Sequence, residues 1–182
     1  TEVGGIAAKT AGLKVNLVGH SYINASDNHV GMALRTPGDA SIVTFQGGGT
    51  LSITSEGMGI VTWHDIVLKD DVNLIVECTG NNCGLQGRRA SAPTFPSIHM
   101  YGTQTMLQAK GRQGSIMNFH ALDLNDGIEI NTDAIYDGRT FVEDVGIVNA
   151  GGYLIPYWVT LARPDYIDGI NDLKDSKDLK DL

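Results

Sequence analysis

Proline is scarce in this chain, at 5 residues in 182, and cysteine is scarcer, at 2, whereas glycine numbers 23. That combination points to many tight turns and away from a disordered chain. Positive charge is short too: 13 Lys and Arg face 21 Asp and Glu, for a net charge of −8. Such a surface repels phosphate backbones, so no nucleic-acid partner is expected. No apolar run approaches the roughly 18 residues that a membrane span needs, so no span is expected. No signal peptide is seen, but the chain opens at Thr1 without a methionine, so this absence carries little weight.

Chemical motifs are equally sparse. Cys78 and Cys83, in "ECTGNNCG", allow a disulfide across a tight turn if the compartment is oxidising. Two unpaired thiols are the alternative, and the sequence leaves both open. Zinc needs four ligands, and no second Cys/His pair stands at ligand spacing, so neither metal nor cofactor is expected. The three glycines at 47–49 resemble a phosphate loop, but no Gly-Lys-Ser/Thr follows and no helical pattern begins there. Gly-x-Ser-x-Gly is absent. "DLNDGIE" at 123–129 lacks the residue order of a calcium loop.

What the chain does contain is a repeat. A length of 182 residues at 42% hydrophobic content suits one domain with a real core. The pattern apolar-x-apolar-x-Gly/Asp occurs as "VNLVG", "VTFQG", "IVLKD", "IHMYG" and "LDLND", closing at Gly19, Gly47, Asp70, Gly102 and Asp126. Two positions earlier stand Leu17, Phe45, Leu68, Met100 and Leu124; four earlier stand Val15, Val43, Ile66, Ile98 and Leu122. A period of two marks a strand with one buried face. The pattern continues four residues past the turn, at Ile23, Leu51, Leu74, Met106 and Ile130. It reaches a glycine column at Gly31, Gly59, Gly84, Gly114 and Gly138, followed by Met32, Ile60, Leu85, Ser115 and Arg139.

The turns are 28, 23, 32 and 24 residues apart, too far for a hairpin and right for a coil of three short strands. The expectation is an all-β chain, a single-stranded right-handed parallel β-helix of about five coils with a C-terminal β-hairpin cap. Glycine and aspartate mark corners where φ is positive. Residues 1–12 are read as an N-terminal cap, and "NAGG" at 149–152 as the turn of the C-terminal hairpin. Residues 1–168 form the domain. Residues 169–182 are a charged tail or linker.

The strings "GGGTLSITSEGMGIVTWHDIVLKDDVNLIVECTGNNCGLQG" and "LDLNDGIEI", the latter followed by a hairpin and "ARPDY", resemble a known group. It comprises secreted parallel β-helix proteins of gut Bacteroidetes and Clostridia, of the carbohydrate-binding-domain-like or adhesin-like type. The resemblance implies the fold and export to a secreted or cell-surface location. It brings no catalytic motif to carry over.

Candidate ligand positions come from the outward residues. Lys69, His99 and Tyr101 lie on a ribbon of hydrogen-bonding groups flanking the turns, a flat surface suited to an extended glycan. The solvated face of a sheet is the plainer account. Trp63, Phe95 and Phe119 form an aromatic column, read either as internal stacking or as a platform for sugar rings. His64 and His120 follow in that column, too far apart to share a metal. Arg88 and Arg89 open an insertion, "RRASAPTFP" at 88–96, next to His99 and Tyr101. Hydrolysis would need two carboxylates at a set separation; Asp65 and Asp123 fall in different columns, and Asp70 and Asp126 hold turns. The reading is therefore a non-catalytic module whose partner is a glycan or cell-surface ligand. A structural or adhesive protein and a calcium-dependent polysaccharide lyase are the alternatives.

Overall fold

The two-residue period is carried by extended chain. In Thr50–Ser55 the side chains of Leu51, Ile53 and Ser55 are buried and those between them half-buried; Asn73–Cys78 repeats this with Leu74, Val76 and Cys78. Aliphatic and β-branched residues suit a pleated surface with one dry face. The computed structural model describes residues 3–9, 12–35, 41–89, 93–132 and 139–170. Among these the chain forms strands and one short helix, so the protein is mainly β, with parallel sheets.

The strands run in threes. β1 (Val3–Ala8), β2 (Lys14–Asn16) and β3 (His20–Ala25) are followed by β4 (Val30–Leu34), β5 (Ile42–Gln46) and β6 (Thr50–Ser55). Next come β7 (Ile60–Thr62), β8 (Asp65–Leu68) and β9 (Asn73–Cys78), then β10 (Leu85–Gly87), β11 (Ile98–Met100) and β12 (Met106–Lys110). β13 (Ile116–Met117), β14 (Leu122–Leu124) and β15 (Glu129–Thr132) precede β16 (Thr140–Val142), β17 (Gly146–Val148) and β18 (Val159–Ala162). A helix, α1 (164–170), follows.

From β1 to β14 every third strand joins the same sheet, in parallel with its predecessor. The pattern changes at the C-terminal side. β18 lies between β12 and β15, antiparallel to both, while β17 pairs antiparallel with β13 and β16 with β17. Inward residues of all three sheets meet in one apolar core. Its columns are read along the ladders: Val43–Ile66–Ile98–Leu122, Phe45–Leu68–Met100–Leu124, and Leu51–Leu74–Leu107. No helix among the described residues is long and apolar enough to cross a membrane.

All five turn residues named from the sequence have positive φ: Gly19 65°, Gly47 101°, Asp70 58°, Gly102 106° and Asp126 57°. Gly114 of the glycine column also has positive φ, at 152°, but its earlier members obey a different rule. Gly31, Gly59 and Gly84 are not among the positive-φ residues; each is glycine because the next strand's backbone crowds it. A Cβ on Gly31 would stand 2.7 Å from the Gly59 carbonyl oxygen, and one on Gly5 1.9 Å from that of Gly31.

Several expected positions shift. Val15 pairs with Phe45 and not Val43, a slip of two residues that keeps the same face inward. Leu107, not Met106, faces Leu74, because the turn from Gly102 to Thr105 carries one extra residue. Ile116 takes the place expected for Ser115, whose buried hydroxyl donates instead to the Tyr157 carbonyl. Within the stretch expected to cap the first coil, residues 3–8 form β1, an edge strand paired parallel with β4 across a register shift between Val3 and Ile6. The hairpin turn near the C-terminus is at 143–145, between β16 and β17. "NAGG" makes a second turn, where Asn149 accepts from Gly152 and a single bridge joins Val148 to Leu154. α1 begins at 164 and folds back, with the Tyr166 hydroxyl donating to Asn73 Oδ1 at 3.1 Å. Gly138 and positions 171–182 of the tail lie outside the described residues.

Candidate functional site

The sequence-derived candidates separate into two groups. On β11, His99 is the direct ladder partner of Asp123 on β14, with its Nδ1 3.3 Å from Asp123 Oδ2. The Tyr101 hydroxyl donates to the same oxygen at 3.4 Å. Hydrogen bonds from His99 first, and then from Asn125, hold the Asp123 carboxyl below the usual carboxylate range. Lys69 lies beside Tyr101 in the ladder and 3.9 Å from the Asp70 carboxylate. The group is an outward, solvent-facing network in which the histidine and tyrosine are already engaged with one acid.

Arg88 and Trp63 belong elsewhere. The backbone ladder of the seven-stranded sheet continues one residue past its strands: Arg35 donates to Ala8, Trp63 to Leu34 and Arg88 to Thr62. Lys9, Arg35, Trp63 and Arg88 therefore form one outward row, one residue per strand. The Arg35 guanidinium lies 5.2 Å from the centre of the Trp63 ring and that of Arg88 5.8 Å, within cation–π reach. Two positions back along the same face runs a second row, Ala7–Ala33–Val61. These small side chains form a trough, floored also by Val30 and Met58, with a cavity of about 260 Å³ between the rows. Val30, Met58, Val61 and Cys83 form a small apolar cluster separate from the main core, with Trp63 packed against it.

This groove does not include His99 or Tyr101. Arg89 also turns away, lying 4.7 Å from the centre of the Phe95 ring and donating to the Pro93 carbonyl at 3.4 Å. Arg88 and Arg89, expected next to His99 and Tyr101, thus lie in neighbourhoods separate from that pair. The aromatic column divides as well: Phe119 is wholly buried in the core, whereas Trp63 is half-buried, outside it.

Arg35, Lys9 and the trough residues were not among the sequence candidates. For the trough alone the sequence carried a partial signal: the consecutive apolar Ile60 and Val61 in "GIVTW" break one-sided alternation, and in the structure both are buried.

The remaining reactive groups are structural or scattered. Cys78 and Cys83 are free, buried thiols, with Cys78 Sγ donating to the Gly57 carbonyl at 2.8 Å. Burial pushes the Cys83 thiol up to about 11 and raises that of Cys78. His64 is buried, and its Nδ1 accepts from the Ser41 backbone amide at 3.2 Å, which fixes the neutral ring. His120, Glu143 and Asp144 bring their ligand-type atoms within 4.8 Å of one another at the surface. Asp65 accepts from the Ser97 amide at 2.7 Å, a backbone-holding role. A further cleft of about 430 Å³ lies beneath α1, between Tyr166, Ile167 and Ile170 and the outer face of the six-stranded sheet. Compared with protein-family models, with curated proteins and with solved structures, the chain matches none of them.

Proposed function

We propose that the protein is a carbohydrate-binding module that holds a glycan without cleaving it, and that the groove at Trp63 is its site. The observation that carries the reading is the half-buried Trp63 indole, which lines the groove with Ala7, Ala33 and Val61 and packs against an apolar cluster separate from the main core. Sugar rings present flat C–H faces that pack on an indole, while the ring N–H and nearby polar groups orient the hydroxyls.

The architecture proposed with it is a right-handed parallel β-helix of about five coils, closed at its C-terminal end by the β16–β17 hairpin. The recurrence of every third strand in the same sheet supports this, with the last coil opened by the insertion of β18. Secretion or cell-surface display, as in the β-helix proteins the sequence resembles, belongs to the same proposal. An adhesive or structural role has one observation of its own. β1, β2 and β3 are edge strands, each paired on one side only, and Ile6 is 48% exposed.

The test is a glycan array followed by isothermal titration of the parent protein and of Trp63→Ala. Binding with no product accumulating over time, abolished by Trp63→Ala, is the expected outcome. A Trp63→Ala protein that binds as tightly as the parent would place the site elsewhere. Release of shortened or unsaturated sugar would show turnover and end the non-catalytic reading.

A further inference from the structure

We infer that the ligand of the Trp63 groove is acidic: a glycan whose sugar carries a carboxylate, received by Arg35 and Arg88 on either side of the indole. The inference rests on the sugar-binding reading above and specifies the class of sugar.

The argument is one of charge. The whole chain holds only 13 Lys and Arg against 21 Asp and Glu. Three of those 13 nevertheless fall in one ladder row, Lys9, Arg35 and Arg88, interrupted only by Trp63. Neighbouring positions in such a row are about 4.8 Å apart, and like charges placed side by side on a sheet repel. Among the described residues no carboxylate lines the groove. The Arg88 side chain donates to Gln86 Oε1 at 3.4 Å and approaches the Met58 sulfur at 3.7 Å; neither partner is charged. Acidic residues elsewhere are placed against cations, as Glu77 is with Lys110 at 3.0 Å and Asp165 with Arg163 at 2.7 Å.

Stacking on Trp63 accounts for the position of each guanidinium but not for the accumulation of three positive charges with no acid among the described residues that line the groove. An anion in the groove accounts for both. The guanidinium fork matches a carboxylate in bidentate geometry, and Lys9 offers a point charge at the far end of the row. The indole face takes the ring from which the carboxylate projects, so one ligand satisfies the aromatic and the basic residues together.

The experiment is isothermal titration of the full chain with four oligosaccharides of one length. They are a uronic-acid oligomer, its methyl ester, a sulfated neutral oligomer and the unmodified neutral oligomer. The acid is expected to bind at least about tenfold more tightly than its ester, a difference that added salt reduces. The double variant Arg35→Gln/Arg88→Gln should lose that preference while still binding the ester. The acid–ester comparison on the parent protein needs no variant and so does not depend on the variant's folding. Equal binding of acid and ester overturns the acidic assignment and leaves sugar binding intact. Tighter binding of the sulfated oligomer than of the acid overturns the carboxylate in favour of a sulfate. Failure of all four to bind overturns the sugar-binding reading, and this inference with it.

Discussion

Gly59 sits so close to Gly84, the residue just before β10, that a Cβ on Gly59 would stand 2.4 Å from the Gly84 carbonyl oxygen, and 2.2 Å from Val76 Cγ1. Neither contact is one that real Cβ atoms make, and a carbonyl in a ladder cannot step aside. Gly59→Ala is therefore expected to destabilise the fold by about 1–3 kcal/mol, as overpacking does. Gly169→Ala, in α1 with nothing within 4 Å of the new methyl, should be neutral or stabilising by up to roughly 1 kcal/mol. Urea denaturation of the two variants checks the contrast; equal losses would refute the close-approach account.

Leu68 and Lys69 are neighbours on opposite sides of the chain. Leu68 is 0% exposed in the column between Phe45 and Met100, while Lys69 lies outside with a solvent-facing ion pair. Leu68→Ala should cost about 2–5 kcal/mol, and Ile66→Ala in the adjacent column a similar amount. Lys69→Ala should change stability by less than about 0.5 kcal/mol, since an exposed pair contributes little. The same denaturant titration reads all three, and a larger loss at Lys69 than at Leu68 would contradict the register.

His64 predicts a pH dependence. Burial depresses its pKa in the folded state, with the nearby Asp65 charge opposing the shift in part. The unfolded chain then binds a proton that the folded chain refuses. The contribution to stability is full above the ordinary histidine pKa of about 6.5 and is lost as the pH falls through the lower folded-state value. Denaturation midpoints measured downward from neutral pH should fall less steeply in His64→Gln than in the parent. Parallel profiles would mean that another group carries the acid sensitivity.

The cysteines should be silent in the native state. Burial pushes the Cys83 thiol up to about 11 and both thiols are buried, so little accessible thiolate exists at mildly alkaline pH. An aromatic disulfide reagent should react slowly with the folded protein and quickly, at both thiols, once guanidinium is added. No reaction in guanidinium would mean that the two sulfurs are bridged.

The sequence by itself determined the strand grammar. Alternation at Ile66 and Leu68 specifies which face is dry whatever the fold, because side chains in extended chain alternate by geometry. Positive φ at Asp70 and Asp126 was legible for the same local reason, as a short polar side chain tolerates the left-handed region. Candidate site residues were legible only singly. Arg88 and Trp63 could be named, but Arg35 and Lys9 could not, since they reach Trp63 through ladders joining strands more than twenty residues apart.

Register across those ladders was decided by the tertiary structure. An added residue in the turn before Met106 moves Leu107 into the column, and a slip of two sets Val15 against Phe45. The slip of two keeps the same face inward, so hydrophobic pattern alone does not choose it and the backbone hydrogen bonds between strands do. The added residue turns Leu107 and Ala109 inward and leaves Gln108 and Lys110 on the outer side. The separation of Arg88 from His99 arose in the same way. Adjacent in a linear reading, they project from two different sheets, because the chain turns a corner between β10 and β11.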